Sequence, residues 1–227
     1  QLIKYGQTRR GWLGVRIQDV TPEIAERFGL KRRARGALVS SLTPDSPAQK
    51  AGMQEGDIIL TFDGQQIDAM RSLPRIVAET EVGKKVPVAI WRKGAETTLT
   101  VELGQMEAAD QAAAPAPATA PAAAPAQSKE VPELGLTVTA LSDALRKTHG
   151  IADNATGVVV TAVAPGSVAA ERGFIAGDLI IEVDQQDSGT PDNVAARVAA
   201  AKKAGQSSVL LFVARKDDRR FVALKLK

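Results

Sequence analysis

Three residue types that make a catalytic triad fall close together, as Ser142, Asp143 and His149. A serine nucleophile needs a histidine base and an aspartate from separate elements, with backbone N–H donors for the oxyanion. Here all three belong to one short predicted helix, and no glycine-framed serine accompanies them. We therefore predict no catalytic residue in this chain. We expect His149, which precedes the helix-ending Gly150, to interact favourably with the helix dipole.

The residues around an early glycine turn favour binding chemistry instead. They are Gly11, Trp12, Leu13, Gly14 and Val15. A glycine-bracketed turn that leads into a strand points successive N–H groups into one concavity, which suits the terminal carboxylate of a peptide. Arg10 either attracts that carboxylate or is an ordinary surface charge. Trp12 either gates the site or packs against the segment that precedes it.

Apolar residues on the following strand and on a later helix predict a groove beside this turn. They are Leu13, Val15 and Ile17 on the strand side and Leu73, Ile76 and Val77 on the helix. An extended peptide would add to the strand edge, with its last side chain among these residues. Ile76 is expected to be partly exposed. The alternative is that all of them face the core, as they would in any small sheet with this pattern.

The composition excludes several classes of function. The chain has 227 residues, no Cys, one His, 4% aromatic residues and a net charge of +3. We predict no disulfide, metal site or cofactor, because thiolates are missing and a single His leaves only scattered carboxylates. Nucleic acid is not an expected partner, because neither a concentrated basic face nor a stacking surface is present. No apolar window is long enough for a transmembrane segment, and the start at Gln1 is interpreted as the beginning of an excised piece.

The chain repeats itself. An offset of 121 residues places Leu134 on Leu13 and aligns many glycines and neighbouring residues. The matched pairs include Gly14 with Gly135, Gly29 with Gly150, Gly36 with Gly157, Ser46 with Ser167, Gly52 with Gly173, Gly56 with Gly177 and Asp57 with Asp178. Because glycine occupies positions that need positive φ or close approach, the matches predict one backbone built twice. Later in the sequence the offset becomes two residues longer, which aligns Arg92 with Arg215.

Residues 106–130 are rich in Ala and contain Pro115, Pro117, Pro121 and Pro125, a spacing that prevents a helix of useful length. We predict a linker at 106–130 between domains at 1–105 and 131–227.

Each domain is predicted to be a β-rich α+β fold, a partly open antiparallel barrel or sandwich with flanking helices. Thr21 and Pro22 are predicted to begin a helix that ends at Gly29, and Lys93-Gly94 to turn a hairpin.

Four motifs of the first copy resemble a PDZ domain of the HtrA/DegP trypsin-like serine proteases. They are Arg10-Gly11-Trp12-Leu13-Gly14-Val15, Gly36-Ala37-Leu38-Val39, Pro44-Asp45-Ser46-Pro47-Ala48 with Gly52, and Gly56-Asp57-Ile58-Ile59. The opening Gln1-Leu2-Ile3-Lys4-Tyr5-Gly6 looks like the end of that family's protease domain. The family's Gly-Asn-Ser-Gly-Gly serine motif is not in the sequence, so the resemblance implies binding domains without peptidase activity.

The second copy implies a second groove, which departs from the first. Its residues would be Leu134, Gly135, Leu136, Val138, Val194 and Val198. Glu133 stands before its turn where the family has a basic residue, and Arg197 aligns with Ile76, which would put a charge on the groove side of the helix. The first change would repel a carboxylate and the second would charge an otherwise apolar groove, so we predict that the second copy binds peptides weakly and serves mainly in assembly.

The resemblance implies a regulatory module that captures C-termini or extended apolar segments of unfolded proteins by strand addition. The partners expected on this basis are such peptides and a serine protease domain of the same chain or of neighbouring subunits. The alternative is a structural adaptor that holds an oligomeric cage together through self-association, with little peptide binding. The resemblance also implies a periplasmic or envelope-associated location.

Limited proteolysis tests the predicted linker. Because proline-punctuated alanine segments lack the hydrogen bonds that protect a folded backbone, a broad protease should cut only within residues 106–130. Mass spectrometry should then find two resistant cores. Complete resistance, or rapid loss of either core, would contradict this organisation.

Overall fold

The computed structural model describes residues 11–30, 35–105, 128–152, 155–216 and 218–226. The chain divides into two compact units, Gln1–Pro115 and Ala116–Lys227. The boundary falls inside the segment predicted as a linker. Both units are built from antiparallel strands with short helices, and their sheets do not close into barrels. The predicted β-rich α+β class is therefore confirmed.

The first unit contains one main sheet and a separate strand pair. Its strands are β1 (Gly11–Trp12), β2 (Val15–Asp19), β3 (Ala37–Leu42), β4 (Ile58–Phe62), β5 (Gln65–Gln66), β6 (Lys85–Arg92), β7 (Ala95–Glu102) and β8 (Gly104–Gln105). Its helices are α1 (Pro22–Arg27), α2 (Pro47–Lys50) and α3 (Ser72–Glu79). The sheet order is β2-β3-β4-β6-β7, with β5 on β4, and β1 pairs with β8. Strand β2 therefore lies at the edge of its sheet.

Local sequence accounts for the elements that were predicted best. Thr21 caps α1, because its hydroxyl accepts a hydrogen bond from the Ile24 N–H at 3.3 Å, and Pro22 occupies the first helical turn. Lys93 and Gly94 have φ values of 48° and 87° and turn the β6–β7 hairpin. A two-residue hairpin loop favours positive φ at both positions, since its twist then matches that of the strands. Both predictions are confirmed.

Aliphatic side chains from the sheet and from α3 form the core of the first unit. Its fully buried members include Val39, Ile59, Phe62, Ile67, Leu73, Val86, Val88 and Ile90. Helix α3 contributes Leu73, Ile76 and Val77 on one face, as the spacing predicted. The helix is therefore held against the same cluster that underlies β2.

The second unit repeats this plan, with seven strands in its main sheet where the first unit has six. Its strands are β9 (Ser128–Val131), β10 (Leu136–Ala140), β11 (Val158–Val163), β12 (Leu179–Val183), β13 (Gln186–Asp187), β14 (Ser208–Arg215) and β15 (Asp218–Lys225). Its helices are α4 (Asp143–His149), α5 (Val168–Glu171) and α6 (Pro191–Lys203). The sheet order is β15-β14-β12-β11-β10-β9, with β13 on β12.

Strand β9 changes the predicted domain boundary. Residues 128–130, which were assigned to the linker, are paired with β10 in an antiparallel ladder that runs from Leu136 opposite Val131 to Thr139 opposite Ser128. The second unit therefore begins at least three residues earlier than predicted. The alanine- and proline-rich composition indicates a linker here, whereas the pairing depends on a strand edge that composition does not report.

A buried aspartate held by an arginine occurs in both units. Asp57 is 1% exposed and accepts hydrogen bonds from the Arg92 Nε and Nη2 atoms, each at 2.7 Å, and from the Gln54 N–H at 2.8 Å. Hydrogen bonding to Asp57 raises the pKa of Arg92. Asp178 and Arg215 repeat the pair, with Nε and Nη2 contacts of 2.6 and 2.8 Å. The predicted drift in offset, which aligned Arg92 with Arg215, is confirmed by this shared role.

Truncation of Arg92 tests how much this pair stabilises the first unit. Arg92→Ala leaves the buried Asp57 carboxylate without its main partner, so the free energy of unfolding should fall by about 3 kcal/mol. Both tryptophans lie in the first unit, so urea unfolding followed by tryptophan fluorescence reports on that unit alone.

Arg75→Ala is the matched control. It breaks an exposed ion pair, in which the Arg75 side chain is 81% exposed and the Glu79 side chain is 64% exposed. The urea midpoint of unfolding should therefore equal that of the natural sequence. Equal midpoints for the two variants would show that the buried pair contributes no more than the exposed one.

Candidate functional site

The turn before β2 fits tightly against its surroundings, and glycine makes that fit possible. A Cβ atom on Gly11 would lie 2.3 Å from the Val77 carbonyl oxygen at the end of α3. Gly14 has a φ of +76°, and a Cβ atom there would lie 2.2 Å from the Ser46 Cβ atom. The turn is thus fixed between helix α3 on one side and the start of α2 on the other.

Hydrogen bonds fix the orientation of the peptide groups in this turn. The Leu13 carbonyl accepts from the Ala48 N–H at 3.0 Å, and the Gly14 carbonyl accepts from the Thr43 N–H at 2.9 Å. In a trans peptide the carbonyl and the following N–H point in opposite directions. The N–H groups of Gly14 and Val15 therefore point away from α2. Two successive amides directed the same way can receive a carboxylate.

The outer edge of β2 carries backbone groups that no described strand pairs with. Opposed residues of an antiparallel pair alternate between hydrogen-bonded and non-bonded pairs. Val39 lies opposite Ile17, but its N–H and C=O bond instead to the Asp57 carbonyl and the Gly56 N–H, at 2.8 and 2.9 Å. The N–H and C=O of Ile17 therefore face the outer edge. In the described part of the chain, β2 pairs only with β3.

The predicted apolar residues of the first groove lie together in one cluster. Leu13, Leu73, Ile76 and Val77 are buried, while Val15 and Ile17 are partly buried and pack against the same cluster. Ile76 is only 9% exposed, so the prediction of a partly exposed residue is corrected. It lies in the core cluster, because the helix turns this face inward onto the sheet.

Two further predicted residues have different outcomes. Arg10 lies outside the described residues. The Trp12 ring lies close to its own turn and to β8, because Cβ atoms on Gly14 and Gly104 would be 3.0 and 3.3 Å from it. Glycines provide the space for this contact, whereas the segment before Trp12, against which packing was predicted, lies outside the described residues.

The second unit builds the same turn before β10. Gly135 has a φ of +68°, and a Cβ atom there would lie 2.3 Å from the Ser167 Cβ atom. The Gly135 carbonyl accepts from the Ala164 N–H at 2.8 Å, and the Leu134 carbonyl accepts from the Ala169 N–H at 3.3 Å. The duplicated sequence therefore produces a duplicated turn.

The edge of β10 is covered, in contrast to the described part of the first unit. Strand β9 pairs along it, and the Val131 carbonyl accepts hydrogen bonds from the Leu134 and Gly135 N–H groups at 3.1 and 2.9 Å. The predicted groove side chains are buried in one cluster with Val131. They are Leu134, Leu136, Val138, Val194 and Val198. Sequence analysis missed β9, although Val131 is an aliphatic residue just before the turn.

The offset of 121 residues holds along the helices, where Val194 and Val198 take the places of Leu73 and Val77. Arg197 differs from Ile76, because its guanidinium donates a hydrogen bond to the Gln186 side chain in β13. The expectation that this charge lies on the groove side of the helix stays a prediction.

The candidate triad residues have structural roles. The Ser142 hydroxyl caps α4 by accepting from the Leu145 N–H at 3.3 Å, and Asp143 begins that helix. His149 ends the helix before Gly150, and its ring packs on Gly177, where a Cβ atom would lie 2.6 Å from Nδ1. Across the described ranges there is no cluster of metal-ligating side chains and no helix long and apolar enough to cross a membrane.

Both units match a known family. Residues 11–103 and residues 159–215 each match a family model described as a PDZ domain. The second match begins in β11, so the turn and β10 lie before it. Both matches are to binding domains, so these 227 residues are not themselves a peptidase.

Curated relatives align with the whole chain. A protein named "Probable periplasmic serine endoprotease DegP-like" from Brucella suis biovar 1 is 36% identical over 226 residues, which cover 100% of this chain and 41% of the relative. The protein of the same name from Rhizobium meliloti is 37% identical, covering 99% and 42%, respectively. That from Hahella chejuensis is 36% identical, covering 100% and 45%. The chain thus spans less than half the length of these relatives.

Solved structures align with parts of the chain. The HtrA-type protease AlgW with decapeptide has 40% identity and a TM-score of 0.41, covering 46% of this chain and 32% of that chain. The HtrA3 PDZ domain bound to a phage-derived ligand has 20% identity and a TM-score of 0.37, covering 43% and 88%. The family matches, the relatives along the full chain and the duplicated fold together show that this chain is a tandem of PDZ domains of the HtrA/DegP family.

Proposed function

We propose that the first PDZ domain binds peptides that end in an apolar residue with a free carboxylate. The peptide adds as a strand to the outer edge of β2, and its carboxylate meets the N–H groups of Gly14 and Val15. The observation that carries the proposal is the outward direction of the Ile17 backbone groups beside α3. Backbone pairing supplies affinity in this mode, and the apolar groove selects the last side chain.

The proposed groove has an apolar floor on α3, and two partly buried residues of β2 line it. Leu73, Ile76 and Val77 form the floor, and Val15 and Ile17 remain partly accessible next to them. An aliphatic or aromatic terminal side chain therefore finds apolar surface without moving the core. Such burial contributes about 1.5–3 kcal/mol.

The expected affinity is modest. Hydrogen bonds to a carboxylate contribute roughly 1.5–3 kcal/mol each, and lost freedom of the peptide offsets several kcal/mol of the gain. The sum corresponds to dissociation constants from millimolar to micromolar, where 1 μM is about −8.2 kcal/mol. A site of this strength samples many chain ends and suits a regulatory module.

The same proposal extends to the longer protein. We propose that the tandem delivers C-termini or extended apolar segments of unfolded proteins to a serine protease domain, in the same chain or in a neighbouring subunit, within the periplasm. The names of the relatives support this role and location. Assembly of an oligomer is the second role proposed for the tandem, and self-association without peptide binding would favour it.

Amidation of the peptide tests the carboxylate site. Calorimetry on the full chain should show that a short Val-ended peptide binds at least about tenfold more tightly as the acid than as the amide, a difference of about 1.4 kcal/mol. The amide lacks the charge that the turn receives but retains every strand contact. Equal affinities would rule out carboxylate recognition at this turn.

Substitution of the turn glycine tests the location. In Gly14→Ala the new methyl group collides with Ser46 and the positive φ is strained, so the turn must shift and acid-peptide affinity should fall at least about tenfold. Gly135→Ala introduces the same strain against Ser167 in the second domain and is the matched control, which should leave the affinity unchanged. Loss of binding in the control alone would place the site in the second domain.

A further inference from the structure

We infer that the second PDZ groove is a strand-binding site whose ligand is this chain's own segment, residues Ser128–Val131. This segment, called the internal ligand below, holds the groove closed to free peptides. The inference concerns the second domain and does not depend on peptide binding by the first. It rests on the register, the hydrogen bonds and the burial of β9.

The internal ligand meets the backbone groups that an added strand would meet. Val138 corresponds to Ile17, and its opposite residue Val160 bonds instead to the Asp178 carbonyl and the Gly177 N–H, each at 2.8 Å. The N–H and C=O of Val138 therefore face outward, and Lys129 lies directly opposite them in β9. The internal ligand runs antiparallel to β10 with its last residue at the turn, which is the direction proposed for a peptide on β2.

Val131 takes the place of a terminal ligand residue. Its carbonyl oxygen accepts hydrogen bonds from the Leu134 and Gly135 N–H groups, at the turn that matches the carboxylate turn of the first domain. Its side chain is completely buried and packs in the cluster that contains Val194 and Val198. Because the chain continues at Pro132, a backbone carbonyl replaces the charged carboxylate. Glu133, which would repel a carboxylate, is compatible with this neutral oxygen.

Charge matches the internal ligand to the second groove. The Lys129 Nζ atom lies 3.0 Å from the Asp192 carboxylate in the first turn of α6. In the first domain the corresponding position is Arg71, which is exposed. The lysine would therefore meet a like charge in the first groove.

Self-occupation lowers the apparent affinity of the second domain for any free peptide. A peptide binds only the fraction of molecules from which β9 has left, so the apparent dissociation constant rises in inverse proportion to that fraction. Release of β9 would convert the second domain into a binding site. Because β9 follows the Ala/Pro-rich segment in the sequence, changes to that segment are a physical route to release.

Two proline substitutions test the inference in the full chain. Lys129 and Val138 form a hydrogen-bonded pair, so Lys129→Pro removes a ladder hydrogen bond without changing a buried side chain. By the alternation of the ladder, the Glu130 N–H points away from β10, so Glu130→Pro is the matched control. In both variants the residue before the proline is already extended.

Amide hydrogen exchange reports release of the internal ligand. The Val138 amide should exchange at least about tenfold faster in Lys129→Pro than in the natural sequence or in Glu130→Pro. The amides of Val159 and Val160 in β11 should keep their protection. Loss of protection at β11 in Lys129→Pro would overturn the inference, because β9 would then be an integral strand of the sheet. Equal exchange of Val138 in the two proline variants would also overturn it, because β9 would then not be held by this ladder.

A peptide titration reports whether the groove becomes available. The probe is the peptide Gln-Ser-Lys-Glu-Val, acetylated at its start and amidated at its end so that the valine presents a neutral carbonyl as Val131 does, and it is followed through the amide resonances of Leu134 and Gly135. Lys129→Pro should bind it at least about tenfold more tightly than the natural sequence or Glu130→Pro. Equal responses would overturn the inference. Protection of Val138 that disappears on dilution would do the same, because the strand would then come from a second copy.

A reversible disulfide between β9 and β10 tests whether β9 occupies the groove. Glu130 and Thr137 form a non-bonded pair, whose Cα separation of about 4.5 Å lies within the range of a disulfide. Because the chain has no other cysteine, Glu130→Cys with Thr137→Cys forms one defined bond. The oxidised protein should show no peptide response at Leu134 and Gly135, and reduction should restore that of the natural sequence. A response in the oxidised protein would contradict occupation of the groove.

Discussion

The backbone of an edge strand, lying beside an apolar helix, is the constraint on which these domains depend. Such a strand has one row of N–H and C=O groups that its own sheet leaves without partners. In each domain a glycine turn directs this row toward a helix. On the neighbouring inner strand, Val39 or Val160 forms its backbone hydrogen bonds with the loop before the following strand instead of with the edge strand. Such an edge can accept an added strand, and its chemistry is set by the backbone more than by side chains.

Two contacts repeated in both domains hold the rest of the fold around this edge. The turn glycine lies against a helix-capping serine, Ser46 or Ser167, with no space for a methyl group. On the far side, a buried aspartate binds an arginine at the end of a hairpin strand. Both contacts fix the turn without a ligand, and a turn that is ordered before binding lowers the entropy cost of receiving a peptide.

The two copies use the same geometry differently. In the first, the described residues leave the β2 edge open above a floor of aliphatic side chains. In the second, β9 pairs with the equivalent edge, and a valine fills the equivalent place in the core. In the described residues, the duplicated fold thus has one strand edge without a partner strand and one paired edge.

The sequence by itself determined the duplication, the helix caps, the Lys93-Gly94 hairpin turn and the turn glycines. These features depend on φ preferences and on hydrogen bonds between near neighbours, so they can be deduced from short stretches of residues. Only the tertiary structure decided that Ile76 lies in the core cluster, that Arg197 turns to Gln186 and that residues 128–130 form a strand. Each of these depends on a partner distant in the chain or on an edge left unfilled elsewhere. The pairing of β9 is the clearest case, because an alanine- and proline-rich neighbourhood suggests a linker until an open strand edge gives its last residues a partner.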